Sequence, residues 1–298
     1  MTATQVSDLE PGSEPWLATM SASKVSAMLG LSVYDSRYSL WHKMAGNIPP
    51  EPSDAQKESG HYLEPAITAW FKDQHPEWAV TYPGGTWASD DNPLYVASPD
   101  GLVAVPDSSI GRRGLECKRA LNDWEWGEEF TDDVPPGYRA QCQWQMFVKG
   151  YRRTHLAMIT TRFRFREYII DADDDDAEFL VTEADRFMQS LRDGEEPDID
   201  SHGATYTAIK AMHPLIDGTE YELNAETAAA YIDTSAALKQ AEEAKQFVTN
   251  TIATAMGNAQ RATFARTTYV RRQAKKAPGS IPYLVATPGL IKKAGITA

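Results

Sequence analysis

Polar and apolar residues alternate most regularly in Gly114-Leu115-Glu116-Cys117-Lys118-Arg119, which reads as a strand. The alternation sets Leu115 and Cys117 on one face, and the Glu116 carboxylate with the Lys118 ammonium on the other. Short apolar runs at 80–82, 94–97 and 102–105 predict strands before it. Residues 155–160 and 163–171 predict two more after it, parted by a turn at Thr161-Arg162. Between and around these, the period becomes helical. Residues 21–30 predict a short helix with a serine cap and a Gly30 stop, and 38–44 a second helix. Residues 60–71 predict a third, with a core-facing stripe of Leu63, Ile67 and Trp70 and Glu64 beside it. Pro135-Pro136-Gly137 then opens a helix that runs to Val148. Its Ala140, Trp144, Phe147 and Val148 share a buried side, while Tyr138, Gln141 and Gln145 share another. A helix over 177–191 closes this part, and Gly194-Glu195-Glu196-Pro197 reads as a boundary. Beyond it, 224–257 predicts one long amphipathic helix or a helical hairpin, capped by Asn224 and stopped by Gly257.

The ends divide the chain into three expected parts: a disordered leader at 1–15, a folded domain at 16–200, and a helical extension with a basic tail at 201–298. The tail carries Arg261, Arg266, Arg271, Arg272, Lys275 and Lys276, and the last twenty residues are expected to be loosely ordered. The leader is polar and acidic, unlike a secretory signal, and no apolar run reaches the length of a membrane span, so no membrane partner is expected. Cys117 and Cys142 are the only cysteines. Two thiols exclude a disulfide framework and an iron–sulfur cluster, and point to a reducing cytoplasm. A net charge of −13 argues against a protein that coats nucleic acid through its overall field. It leaves room for a local basic groove, because exposed charges are screened beyond about 8–10 Å. Much of the imbalance sits in the run 171–176, just before a predicted helix, where negative charge suits the N-terminal dipole.

One constellation carries chemistry. Asp100 lies in the turn Ser98-Pro99-Asp100-Gly101, and the strand with Glu116 and Lys118 follows. An Asp in a turn before a strand that presents Glu-x-Lys is the arrangement of PD-(D/E)xK metal-dependent nucleases: carboxylate oxygens hold Mg²⁺, and the lysine steadies a water or the phosphate. Either piece alone is also ordinary, since Glu-x-Lys is common on exposed strands and Ser-Pro-Asp-Gly is a good turn in any protein. Ser23 has two readings as well, a cap or a phosphate contact at a helix N-terminus.

Taken in order, Ser23 on a short helix, Gly60-x-x-x-Glu64-Pro65, Ser98-Pro99-Asp100-Gly101, Glu116-x-Lys118 and Tyr138-x-x-Gln141-x-Gln143 resemble the YqaJ-like viral recombinase family, to which phage lambda exonuclease is similar. The likeness covers roughly 16–200. It implies an α/β fold with a restriction-endonuclease-like core, a central mixed β-sheet flanked by helices, and a C-terminal helical extension. It implies a Mg²⁺-dependent deoxyribonuclease, with Mn²⁺ able to stand in. Such an exonuclease digests linear double-stranded DNA from its ends, 5′ to 3′, and leaves single strands for an annealing protein in phage-type recombination. Carried over, Asp100 and Glu116 are metal ligands, Glu64 a further acidic ligand, and the Cys117 carbonyl a main-chain ligand. Lys118 is the catalytic lysine, Tyr138 and Gln141 support the site, and Ser23 and Ser98 contact the phosphate end. One position departs. Relatives of this kind place an Arg seven residues before the helix serine; here Trp16 stands there, which puts 5′-phosphate dependence in doubt unless Arg37 or another base substitutes.

The charge argument agrees with that set. Carboxylates gathered within about 5 Å repel by roughly 3 kcal/mol per pair at an effective dielectric near 20, a penalty that Mg²⁺ removes. Arg119, Arg139, Lys149, Arg152, Arg153 and the tail are DNA-contact candidates, and Trp124 or Trp126 could wedge at a duplex end or pack in the core. Two rivals remain: a catalytically silent DNA-end or partner-binding module, and a structure-specific endonuclease on the same fold. The sequence leaves open self-assembly into an oligomer.

Overall fold

The computed structural model describes residues 2–7, 9, 12–49, 55–106, 109, 111–121, 123, 125–274, 280–287 and 290, with the side chains of 55–57 outside that set. The chain forms two compact units, Met1–Ile216 and Asp217–Ala298. In chain order the first holds β1 (Ala3–Val6), α1 (Glu14–Leu17), β2 (Met20–Ser21), α2 (Ala22–Met28), α3 (Arg37–Met44), α4 (Ala55–Gln74), β3 (Ala79–Thr81), β4 (Thr86–Ser89) and β5 (Tyr95–Ala97). It continues with β6 (Gly101–Ala104), β7 (Arg112–Ala120), α5 (Pro136–Lys149), β8 (Arg153–Thr160), β9 (Phe165–Asp171), α6 (Asp174–Asp193) and α7 (Gly203–Met212). The second holds α8 (Ala225–Met256), β10 (Arg261–Phe264), β11 (Thr267–Gln273) and β12 (Tyr283–Ala286).

The expected mixed sheet flanked by helices is present. Its strand order is β3-β6-β7-β8-β9, and only β7 and β8 run parallel, joined through α5 as a parallel pair requires. Period-two alternation decides what each face meets. Leu115, Ala157 and Ile159 pack with Val103 against Ile67 and Phe71 of α4. Leu156, Met158 and Ala120 pack on the other side against Cys142 and Met146 of α5. Both faces of β7 are therefore covered. Trp144 and Val148, on yet another side of α5, join a separate core with Met20, Val25, Met28, Trp41 and Phe187. α5 is thus enclosed on most of its circumference, with Gln143 and Gln145 buried and Gln141 half-buried.

Several expectations are corrected. Residues 3–6, expected to be disordered, form β1 and pair antiparallel with β4 in a second sheet ordered β1-β4-β5-β2. Their alternation was too short to stand out from a polar leader. The expected boundary at 200 falls inside the first unit, because α7 returns to pack Ala208 against Tyr38 and Ile48, and Thr205 donates to Ser36 Oγ at 2.6 Å. Beyond α8, which is one continuous helix, the basic tail folds as an antiparallel sheet ordered β10-β11-β12. Part of the last twenty residues, expected to be loose, supplies β12. Among the described residues no helix is long and apolar enough to cross a membrane.

Candidate active site

Strand β7 leads Glu116 into the α5 face, where the side chain is only 2 % exposed. A carboxylate so buried needs partners, and three reach it. Lys118 Nζ lies 2.5 Å from Oε1, Gln141 Nε2 donates to Oε1 at 2.6 Å, and Gln145 Nε2 donates to Oε2 at 2.7 Å. Gln141 and Gln145 stand four apart on α5, so one helix face carries both amides. Hydrogen bonds to a charged group contribute about 1.5–3 kcal/mol each, which offsets the cost of burying so polar a side chain.

Asp100 arrives from the turn before β6 and is locked from two sides. Its Oδ2 accepts from Cys117 N at 2.6 Å, and its carbonyl accepts from Gly84 N at 2.9 Å. Burial, followed by the neighbouring Glu116 charge, pushes the Asp100 carboxyl well above the ordinary range, and Lys118 opposes this only in part. Glu64 on α4 is raised too, first by burial, although a hydrogen bond with Tyr82 opposes the shift and Glu116 adds to it. Burial alone would lower Lys118, but Glu116 and Asp100 outweigh it and hold the ammonium above its usual pKa. Lys118 Nζ also lies 5.4 Å from the ring centroid of Tyr138, whose phenol is raised by burial.

Of these groups, Glu64, Asp100 and Gln141 line a cleft of about 300 Å³, among others with Trp16, Ser21, Ser23 and Ser98. Ser23 is the second residue of α2 rather than its cap; Ser21 holds the cap position, and the two hydroxyls lie 3.1 Å apart. Ser98 Oγ is 2.9 Å from Thr86 Oγ1. The fold thus brings six residues singled out in the sequence, Ser23, Glu64, Ser98, Asp100, Glu116 and Gln141, together with Lys118, to one place. Among the described residues no three His, Cys, Asp or Glu side chains form a ready-made cation cage. Still, Asp100 and Glu64 are raised by burial and by the Glu116 charge, and Lys118 offsets that only partly, so the donor set is one whose missing counter-charge a divalent cation would supply.

Other candidates go elsewhere. Gln143 turns away from the cleft: its amide donates to Asp171 O and its carbonyl accepts from Asp173 N, which secures the start of α6. Arg37 donates to Met28 O at 2.9 Å and lies 3.5 Å from Glu183, so it does not replace the arginine absent at Trp16. Behind Trp16 the cation is Lys24, which donates to Trp16 O and Thr19 O and sits 3.8 Å from the indole ring. Arg139, Arg152 and Arg153 pair with the acidic run, at Asp176, Asp174 and Asp171, and Lys149 Nζ sits 3.3 Å from the Trp87 ring. Trp126 packs in the core, while Trp124, Lys275 and Lys276 lie outside the described residues. Sequence reasoning missed Gly84 and Tyr82, for which no local signal exists. It placed Gln145 on the right helix face as a hydrogen-bonding amide, without naming Glu116 as its partner.

Comparison with known proteins follows the same outline. Residues 16–152 match the sequence family described as the YqaJ-like viral recombinase domain. The uncharacterized protein YqaJ of Bacillus subtilis (strain 168) is 24 % identical over 199 residues, which cover 64 % of this chain and 59 % of that protein. The match thus spans less than two thirds of that relative's length. Among solved structures, an alkaline exonuclease from Laribacter hongkongensis is 21 % identical with a TM-score of 0.48, covering 68 % of this chain and all of that one. A phage-related exonuclease from Haemophilus somnus 129PT is 14 % identical with a TM-score of 0.43, covering 59 % and 96 %.

Proposed function

From the match of residues 16–152 to the YqaJ-like viral recombinase domain, we propose a divalent-cation-dependent exonuclease that digests linear double-stranded DNA from its ends, 5′ to 3′. The strand it leaves would pass to an annealing protein in phage-type recombination. The observation that carries the reading is the buried Glu116, gripped by Lys118, Gln141 and Gln145 beside a raised Asp100. A structural ion pair would need neither the two amides nor a second carboxyl with a raised pKa beside it.

Asp100, Glu116 and Glu64, with the Cys117 carbonyl, would hold Mg²⁺ or Mn²⁺, which supplies charge stabilisation to the phosphoryl group and a nucleophile near neutral pH. Lys118 keeps its proton at Nζ across the working range and offers a cation to the developing phosphate charge. Gln141 and Gln145 fix the Glu116 carboxylate so that it need not reorganise when the substrate arrives. Ser21, Ser23 and Ser98 present hydroxyl donors along the cleft to phosphate oxygens. Trp16 offers a flat apolar wall where an arginine would grip a terminal phosphate, so discrimination for a 5′ phosphate is expected to be weak.

The test is digestion of linear duplex and covalently closed circular DNA, with Mg²⁺ or EDTA, by the wild type and by Asp100→Ala. Mg²⁺-dependent loss of the linear form only, at least about 10³-fold slower in Asp100→Ala, is expected. Cutting of the circle would move the reading to an endonuclease. Binding of the linear form without cutting would make it a silent end-binding module.

A further inference from the structure

The second unit carries a basic sheet with aromatic side chains on its exposed positions. From Ala244 to Ala298 the chain has nine Lys and Arg and no Asp or Glu, although the whole molecule is at −13. Part of this stretch folds as the β10-β11-β12 sheet, whose middle strand alternates strictly between exposed and half-buried residues. The half-buried positions are Thr268, Val270 and Arg272. The exposed ones, Thr267, Tyr269, Arg271 and Gln273, share the opposite face. Register extends that face across the sheet. Arg261 lies directly opposite Arg271 and Tyr283 opposite Gln273, while a register shift after Ala262 interrupts the alternation before Phe264. Phe264 makes an edge contact with Tyr269, with ring centroids 6.4 Å apart.

Two features are unfavourable for a face that meets only water. Like charges directly opposite on neighbouring strands repel, and no acid in this stretch offsets Arg261 and Arg271. Phe264 is 73 % exposed and Tyr283 45 % exposed, so aromatic area is left in water. A ligand with repeated negative charge and flat apolar rings would relieve both. Single-stranded nucleic acid has that chemistry: bases stack on aromatic faces and arginines track the backbone. A duplex hides its base faces, and an acidic protein would leave the rings without partners of matching shape. The exposed run of β11 is about 20 Å long, which suits a few nucleotides.

We propose that this face binds single-stranded nucleic acid, with Tyr269, Phe264 and Tyr283 stacking bases and Arg261 and Arg271 holding phosphates. That the strand is the DNA left by digestion rests on the function proposed above; the binding itself does not. The experiment is fluorescence anisotropy of a labelled twenty-nucleotide oligo-dT with the full chain in EDTA, where digestion is silent. Expected are affinity that falls with salt, a loss of at least about tenfold in Tyr269→Thr and in Arg261→Thr/Arg271→Thr, and near wild-type binding in Tyr269→Phe. Threonine keeps strand propensity at these exposed sites, and an unchanged melting curve shows that the unit still folds. Absence of binding by the wild type would overturn the proposal, and so would equal binding by the threonine variants. Binding without any nuclease activity would leave this proposal standing and sink the exonuclease.

Discussion

Gln145 shows how much a single side chain decides. Gln141 and Gln145 each give one amide to Glu116, and Gln145 is fully buried, so its position is fixed by packing rather than by the ligand. The methionine variant Gln145→Met keeps the volume and removes the donor. Residues that hold a metal ligand in place typically matter 10- to 100-fold, so in the proposed nuclease digestion at limiting Mg²⁺ should slow by about that factor, with more Mg²⁺ needed for half-maximal rate. A rate unchanged at every Mg²⁺ concentration would show that Glu116 needs only Lys118 and Gln141. Helical spacing already set Gln141 and Gln145 on one face; the motif read from the family emphasised Gln143 instead. Two residues along a helix is slightly more than a half-turn, and that rotation sends Gln143 to Asp171 and Asp173.

Elements are positioned by contacts that leave no pattern in the sequence. Asp100 depends on the close approach of the segment before β4, where a Cβ on Gly84 would stand 2.3 Å from the Pro99 carbonyl oxygen. That neighbour is backbone and cannot rotate aside. Gly84→Ala should therefore displace the turn carrying Asp100, costing about 1–3 kcal/mol of stability and, for a shift near 1 Å, about 10²-fold in digestion rate. A urea melt and an initial rate would separate the two losses. Gly60 is the control: inside α4 a Cβ there meets nothing within 4 Å, so Gly60→Ala should leave activity unchanged. The β10–β11 hairpin shows the converse case. Ala265 and Arg266 turn it with φ of 47° and 65°, values that favour Asn-Gly, so the usual hairpin signal is missing and the strands read as a charged tail.

For the whole molecule, charge is distributed more finely than a net of −13 suggests. The acidic run at 171–176 caps α6 and pairs with Arg139, Arg152 and Arg153, so it serves the fold and occupies cations that the sequence offered to DNA. Lys24 affects stability differently. Burial lowers its pKa from 10.5 to about 7, although two carbonyls and the Trp16 ring hold the ammonium. Between those two values the unfolded chain binds one more proton than the native one, so stability rises with pH, by up to about 1.4 kcal/mol per unit. Below about pH 7 the penalty is fully present. Denaturant midpoints at pH 7 and pH 9 should therefore diverge more for the wild type than for Lys24→Met, by roughly 2–3 kcal/mol; parallel behaviour would show that Lys24 stays charged throughout. By itself the sequence determined most helices and strands of the first unit, the faces of β7, and the residues that meet at the cleft. Periodicity records which side chains share a face, and the order of motifs along the chain singled out those that come together. Only the tertiary structure decided that β1 is a strand, that the first unit runs to 216, that Gly84 and Gln145 secure the two carboxylates, and that the basic tail is a sheet. Those outcomes depend on contacts between residues far apart in the chain, where burial and backbone approach outweigh local preference.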